Sequence, residues 1–120
     1  MRSMQYPRRE NDMKAQTAIN NNIMTVSVDG EINTITTPEL AKSVEDLSGI
    51  KHLIFDLDKV PYVSSAGLRL FLSCQRTMLA CGGEMLIKNC NYLMAEIFES
   101  VGYDRIMHIE KKEGPDETNA

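Results

Sequence analysis

Residues 51–73, KHLIFDLDKVPYVSSAGLRLFLS, constrain the fold more than any other segment of the chain. They begin with the apolar run 53–57, whose alternating side chains are typical of a central β-strand. Pro61 cannot donate to a strand ladder, so we expect the strand to end before it. Apolar residues at helical spacing then predict a helix from Ser65 to Ala80. A buried strand joined closely to a helix indicates an α/β fold with parallel strands.

The remaining segments continue this alternation of strands and helices. Strands are predicted at residues 14–20, 23–32, 84–88 and 105–109, and helices from Thr37-Pro38 to Ser48-Gly49 and over residues 91–101. The first two strands are joined at Asn20-Asn21-Asn22 and should form an antiparallel hairpin. The predicted order is ββαβαβαβ, a mixed sheet that is largely parallel after the hairpin, with helices packed on it.

The same periodicities place the side chains on faces. In the second strand Ile23, Thr25 and Ser27 share one face, and Met24, Val26 and Val28 share the other. In the helix that starts at Ser65 the predicted buried stripe is Leu68, Phe71, Leu72 and Leu79, widened by Leu70, Cys74 and Met78. In the last helix the apolar residues at helical spacing are Leu93, Met94, Ile97, Phe98 and Val101.

The 120-residue chain is long enough for one folded domain with a core of its own. We expect this domain to span residues 13–109. Residues 1–12 are polar, carry three arginines and show no periodicity, and residues 110–120 are charged and contain a Gly-Pro pair. Both ends are therefore predicted to be disordered tails.

Charge and cysteine content exclude several classes of protein. A net charge of −4 argues against nucleic-acid binding and against a polybasic membrane anchor. No apolar run reaches the length of a membrane span or resembles a signal peptide. Cys74, Cys81 and Cys90 form no CxxC pair, so we interpret them as reduced thiols of a cytoplasmic protein, with no metal or other cofactor.

The adjacent serines Ser64 and Ser65 are the main candidates for a functional site. They lie where the predicted helix begins, and amides at a helix N-terminus favour a phosphate. The alternative interpretation is that one of the two hydroxyls only caps the helix. Catalysis by Ser65 would need a neighbouring base. The two histidines, His52 and His108, lie at the far end of a strand and in the terminal strand, so an enzyme is not expected.

Other polar residues near the predicted carboxyl ends of the strands have two interpretations each. Asp56 and Asp58 share a strand face, and without a third ligand nearby we interpret Asp56 as a hydrogen-bond acceptor that organises the loop. Gly67 either allows tight packing or lets a partner approach. Arg69 is either an interface residue or a solvated charge. The loop of residues 33–36 is either a partner contact or a capping turn.

Several motifs together resemble a known family. Residues 28–33 with 36–40 resemble its G-E-L-D…T-x-x-L segment, and residues 56–58 leading to Ser64-Ser65-Ala66-Gly67-Leu68 resemble its strand and phosphosite. Gly82-Gly83, Ile97-Phe98 and Val101-Gly102 match later landmarks. The chain is similar to STAS domains, specifically the bacterial anti-sigma factor antagonists.

The resemblance implies a protein-binding switch in transcription regulation. The unphosphorylated antagonist would bind an anti-sigma factor that is a serine kinase and so free the sigma factor; phosphorylation would end binding, and a serine phosphatase would restore it. The acceptor would be Ser65, with Ser64 as second choice, in a monomer or weak dimer. The partner-binding residues would be Asn33, Thr34, Ile35, Thr36, Ser64, Ser65, Gly67, Leu68 and Arg69.

The chain departs from the family pattern at two positions, since Asn33 and Ser64 stand where many members have Asp. Two other functions are therefore considered. One is a STAS-type scaffold or transport-accessory module without kinase regulation. The other is a small hydrolase with Ser65 as its nucleophile, but neither histidine is predicted to lie near enough to act as its base.

Overall fold

The computed structural model of the chain describes residues 12–113. Its elements are β1 (Met13–Asn20), β2 (Ile23–Gly30), α1 (Thr37–Ser43), β3 (His52–Lys59), α2 (Ser65–Ala80), β4 (Glu84–Cys90), α3 (Tyr92–Ser100), a 3₁₀ turn (Tyr103–Arg105) and β5 (His108–Lys111). This order confirms the predicted ββαβαβαβ arrangement. In the described part of the chain, no helix has both the length and the apolar character that crossing a bilayer requires.

The five strands form one mixed sheet in the order β1-β2-β3-β4-β5. β1 and β2 pair antiparallel through a tight turn in which Asn21 has φ 58°, a conformation that Asn adopts more readily than most residues. The other neighbouring pairs are parallel. The predicted hairpin followed by parallel strands is thus confirmed.

The three α-helices contribute to one core with a single face of the sheet. Alternation along β2 buries the face with Met24, Val26 and Val28, and β3 and β4 supply Leu53, Phe55, Leu57, Met85 and Ile87. Phe71 of α2 packs edge-to-face on Phe55, with ring centroids 4.9 Å apart. Phe98 of α3 lies 6.1 Å from Phe71. These aromatic contacts join the strands to two helices.

Several predicted boundaries need correction. α1 begins at Thr37, which was expected to be its cap, and ends at Ser43 rather than Ser48, because the chain then turns at Asp46, whose carboxylate accepts the Ser48 amide at 3.0 Å. β2 ends at Gly30, whose φ of 119° breaks the strand before the predicted end at residue 32.

The last strand also lies further along the chain than predicted. A 3₁₀ turn, closed by the Met107 amide on the Tyr103 carbonyl at 3.0 Å, occupies the start of the expected strand. β5 therefore runs over His108–Lys111, so residues 110 and 111 belong to the sheet and not to a tail. The rest of the predicted tails, residues 1–11 and 114–120, lies outside the described residues.

Leu79, which was predicted in the buried stripe of α2, is 63% exposed. Leu93 and Val101, predicted at the helical spacing of the last helix, are 50% and 49% exposed. In α2 the buried positions are Gly67, Phe71, Cys74, Gln75 and Met78. The Gln75 side-chain amide donates to the Ile106 carbonyl at 2.5 Å. The buried side of α2 thus includes a polar residue that the apolar pattern did not predict.

Candidate functional site

Ser65 is the first residue of α2 and its side chain is exposed. The preceding residue, Ser64, has the extended backbone of a helix N-cap, with φ −89° and ψ 177°. The first backbone bond of the turn runs from the Leu68 amide to the Ser64 carbonyl at 2.9 Å. The amides of the first helical residues have no carbonyl in a preceding turn to accept from them. Ser65 therefore lies where the sequence predicted it, at the open start of a helix.

A short bridge joins this helix start to the loop that follows β2. Ile32 pairs in parallel with Val63 outside the main strands. The Ile32 amide donates to the Tyr62 carbonyl at 3.0 Å, and the Ser64 amide donates to the Ile32 carbonyl at 2.8 Å. The two segments therefore lie side by side. This confirms the prediction that the loop of residues 33–36 lies near the serine pair.

The side chain of Asn33 organises that loop. Its carbonyl oxygen accepts from the Ile35 amide at 2.9 Å and from the Thr36 amide at 3.0 Å. Its amide nitrogen donates to the Glu31 carboxylate at 3.2 Å. A carboxylate at position 33 could accept the first two bonds but could not donate the third. The Asn that departs from the family pattern thus fits its local hydrogen bonds.

Thr36 supports the loop from the inside and is only 2% exposed. Its hydroxyl donates to the backbone carbonyl of Glu31 at 2.8 Å and accepts from the backbone amide of Asn33 at 2.9 Å. Thr36, which was predicted to contact a partner, is buried, and its hydroxyl supports the loop. Thr34 and Ile35 are the exposed residues of the loop, with Ile35 60% exposed.

The hydroxyl of Ser64 does not cap α2. Ser64 occupies the N-cap position, but its side chain accepts no hydrogen bond from the helix amides. Its oxygen is buried and has no partner among residues 12–113. By contrast, Asn91 caps α3 by accepting from the Met94 amide at 2.8 Å. The interpretation of Ser64 as an ordinary helix cap is therefore not supported.

Gly67 is needed for close packing at the start of α2. It is buried, and a Cβ at this position would lie 2.6 Å from Cγ2 of Ile32 and 2.6 Å from Cγ2 of Val63. Both neighbours are β-branched and fully buried side chains, which cannot easily move aside. Gly67 therefore lets the first turn of α2 lie directly on the bridge that positions Ser64.

The predicted partner-binding residues thus divide into three groups by exposure. Thr34, Ile35, Ser65 and Arg69 are exposed; Asn33, Ser64 and Leu68 are partly buried; Thr36 and Gly67 are buried. Sequence reasoning missed Tyr62, which precedes the serine pair closely and is 42% exposed. An exposed aromatic beside a predicted site was the signal available in the sequence.

Asp56 organises the adjacent loop, as predicted. Its carboxylate accepts from the Asp58 amide at 3.1 Å and from the Asn89 side chain at 2.9 Å. Asp58 pairs with Lys112 at 3.5 Å and remains at the surface. Residues 12–113 contain no group of three or more His, Cys, Asp or Glu side chains suited to hold a metal ion.

No histidine of the described chain is placed to activate Ser65. His52 begins β3, whose eight residues separate it from the start of α2 by about 20 Å. It lies 3.9 Å from the Glu84 carboxylate. His108 pairs in register with Leu86, near the start of β4. The hydrolase hypothesis therefore gains no support from the geometry.

Burial controls the chemistry of two of the three cysteines. Desolvation raises the pKa of the Cys74 thiol to about 12. It also raises the pKa of Cys90, whose thiol lies 3.5 Å from the Glu110 carbonyl. Cys81 is exposed at the end of α2. All three thiols are free.

The fold and the helix start can now be compared with known proteins. The family model described as "STAS domain" matches residues 14–114. The chain belongs to the STAS domain family. The match includes β1 to β5 and the serine pair, so the family covers nearly all of the described residues.

Among curated STAS relatives, an anti-sigma-B factor antagonist of Staphylococcus aureus is 24% identical over 102 residues, covering 83% of this chain and 94% of the relative. An anti-sigma factor antagonist from Mycobacterium paratuberculosis has a similar solved structure, with a TM-score of 0.76 at 18% identity, covering 85% of this chain and 88% of that one.

The anti-sigma factor antagonist SpoIIAA is similar in both of its solved forms. The unphosphorylated form has a TM-score of 0.67 at 14% identity, covering 88% of this chain and 93% of that one. The phosphorylated form, from Bacillus, has a TM-score of 0.66 at 15% identity, covering 88% of this chain and 96% of that one. At these identities the likeness shows that the fold is shared.

Proposed function

We propose that this STAS domain is an anti-sigma factor antagonist whose partner binding is controlled by phosphorylation of Ser65. Unphosphorylated, it binds an anti-sigma factor that is also a serine kinase; phosphorylated, it releases that kinase, and a serine phosphatase restores binding. The proposal places the protein in the bacterial cytoplasm as a monomer or weak dimer, without nucleic acid or membrane contact. The observation that carries the proposal is the exposed Ser65 at the first position of α2.

The names and solved forms of similar proteins support the proposal. The Staphylococcus aureus relative is named an anti-sigma-B factor antagonist. SpoIIAA has been solved with and without phosphate in the same fold. An antagonist of this kind needs a domain that can carry a phosphate without rearranging, and the position of Ser65 meets that requirement.

The chemical step is phosphoryl transfer from ATP to Ser65. A bond forms between the serine Oγ and the γ-phosphorus, the bond from that phosphorus to the β–γ bridging oxygen breaks, and ADP and the hydroxyl proton leave. The product carries about −1.5 to −2 charges and three strong acceptor oxygens. Because Ser65 is exposed and its hydroxyl supports no core contact, the domain should accept this group with little change in stability.

Phosphorylation of Ser65 would act mainly on the affinity for the partner. The exposed residues Thr34, Ile35, Tyr62 and Arg69 surround the helix start with a surface that is partly apolar. A partner that covers Ser65 would have to bury the phosphate away from water, which costs several kcal/mol for a charge without a compensating pair. Since about 1.4 kcal/mol changes affinity tenfold, this is enough to reduce binding by orders of magnitude.

Incubation with a candidate kinase and ATP tests the proposal. The candidate to look for is a small ATPase of the histidine-kinase-like type, sought among the genes adjacent to the one for this chain. We expect intact-mass measurement to show the addition of one phosphate to wild type and none to Ser65→Ala, with Ser64→Ala as the matched control that still accepts phosphate. Phosphate on Ser65→Ala would move the site to Ser64 or elsewhere. No phosphate on wild type, with retained binding, would favour a scaffold or transport-accessory role.

A further inference from the structure

The exposed guanidinium of Arg69 lies one helical turn beyond Ser65. Residues four apart on a helix are neighbours, with Cβ atoms about 6 Å apart, so the two side chains share one face of α2. Both are exposed. A long arginine side chain at this spacing can reach a group attached to the Ser65 oxygen.

Arg69 has no anionic partner in the described part of the chain. No ion pair or hydrogen bond of its side chain occurs there. The helix residues that neighbour it at three or four positions are Ser65, Ala66, Leu72 and Ser73. None of them carries a carboxylate, and the whole of α2 contains two arginines and no acidic residue. Arg69 is therefore free to bind an anion that appears on its own face.

We propose that phosphorylated Ser65 is bound within the same helix by Arg69, which acts as an intramolecular clamp on the phosphate. The inference rests on the proposed function in taking Ser65 as the residue that is modified. Arginine suits the task because its planar guanidinium makes paired hydrogen bonds to phosphate oxygens. Once bound to the phosphate, the Arg69 guanidinium is no longer available to a partner. Phosphorylation therefore changes two side chains of the partner-facing surface, Ser65 and Arg69.

The test uses the full chain with phosphoserine incorporated genetically at position 65, which needs no kinase. The phosphate is titrated by ³¹P NMR in wild type, Arg69→Gln, Arg69→Lys and Arg76→Gln. Arg76 is the matched control: it is exposed, also without a partner among the described residues, and lies on nearly the same face of α2. It is about 16 Å from Ser65 along the helix, beyond the screening length of roughly 8 Å in physiological salt.

We expect the second pKa of the phosphate to be lower in wild type than in Arg69→Gln by about 0.2–0.4 units, which is the energy of an exposed pair at this spacing converted to a pKa shift. Arg69→Lys should fall between the two, and Arg76→Gln should match wild type. Other carboxylates at this edge, such as Glu31 and Asp58, are common to all variants and cancel in the comparison.

Two results would overturn the clamp: equal phosphate pKa values in wild type and Arg69→Gln, or an equal shift in Arg76→Gln, which would indicate only the net charge of the helix. These results are distinct from failure of the proposed function. That failure would appear as phosphoserine-65 protein that binds the kinase as tightly as the unmodified protein, whatever the titration gives.

Discussion

Gly67 and Ile32 lie so close that a single methyl group does not fit between them: a Cβ on Gly67 would be 2.6 Å from Cγ2 of Ile32. Ile32 is fully buried, and its backbone carbonyl holds the Ser64 amide at 2.8 Å. The contact therefore fixes where α2 starts relative to the loop of residues 33–36. The exposure of Ser65 is a consequence of this packing.

Replacing Gly67 with Ala should destabilise the domain. Overpacking of a rigid core site costs about 1–3 kcal/mol, and the gain of about 1 kcal/mol in helix propensity offsets only part of this. We expect a lower urea midpoint at an unchanged slope. Ser73→Ala, an exposed change on the same helix, is the control and should leave the midpoint unchanged or raise it.

A double-mutant cycle identifies the cause. Val63→Ala removes one of the two methyl groups that the new Cβ would meet. Gly67→Ala should therefore cost less in the Val63→Ala background than in wild type, by at least about 0.5 kcal/mol. Strictly additive effects would show that the close contact is not what limits position 67.

Asn33→Ala should loosen the loop beside the serine. The change removes the acceptor for the Ile35 and Thr36 amides, and the loss of such bonds costs about 1–2 kcal/mol. Asn33→Asp keeps both bonds but places a second carboxylate beside Glu31. It should cost less than Ala, about 0.5–1 kcal/mol, and the cost should fall in high salt.

Equilibrium unfolding in urea measures both variants of Asn33. The control is Glu31→Gln combined with Asn33→Asp, which removes the repulsion and should recover most of the lost stability. An Asp variant as unstable as Ala would mean that the turn needs the amide nitrogen and not only the acceptor oxygen.

The sequence predicted those parts of the fold in which local pattern and tertiary packing agree. The bounds of α2 were predicted closely because Pro61, the serine pair and Gly82-Gly83 mark both ends. α1 was predicted too long, because Val44 is buried after the helix has ended and so mimics helical spacing. Gln75 is buried and donates to the distant Ile106 carbonyl, a tertiary contact that no local pattern contains.

The candidate site likewise has features that the sequence could predict and features that depend on tertiary contacts. The position of Ser65 and the nearness of the loop of residues 33–36 follow from strand ends that meet at one edge of a parallel sheet, so they could be predicted. The burial of Thr36 and Gly67 could not, because it arises from the isolated bridge between Ile32 and Val63. That bridge joins segments that are separated by thirty residues of chain.

The two N-cap residues of the longer helices should respond differently to truncation. Asn91→Ala removes the acceptor for the Met94 amide and should cost about 1–2 kcal/mol. Ser64→Ala removes a buried hydroxyl with no partner in the described chain, so its cost should be below about 0.5 kcal/mol, or negative. Urea unfolding of the pair measures the difference. A larger loss for Ser64→Ala would indicate a hydrogen bond to an ordered water.

Ser65→Asp should separate binding from stability. The exposed carboxylate should leave the melting temperature within about 2 °C of wild type, since exposed substitutions change stability by less than about 0.5 kcal/mol. Affinity for the kinase should fall by at least about 100-fold, or 2.8 kcal/mol. Calorimetric titration with the kinase measures this, and Ser73→Asp on the same helix is the control. Undiminished affinity of Ser65→Asp would contradict the switch.

Cys74 should make the domain less stable in alkaline solution. Burial raises its pKa to about 12 in the folded state, whereas an unfolded thiol titrates near 8.5–9. Above about pH 9 the unfolded chain loses this proton while the folded chain keeps it. The free energy of unfolding should therefore fall by up to about 1.4 kcal/mol per pH unit until about pH 12.

Unfolding in urea between pH 8 and pH 11 measures this slope in a Cys81→Ser background, which removes the exposed thiol. The comparison is with Cys74→Ala in the same background. That variant is less stable at pH 8 because it leaves a cavity. It should nevertheless show the shallower decline, since the other buried thiol, Cys90, is present in both proteins and only Cys74 differs. If the free energy of unfolding falls equally with pH in both proteins, the folded state must accommodate the Cys74 thiolate.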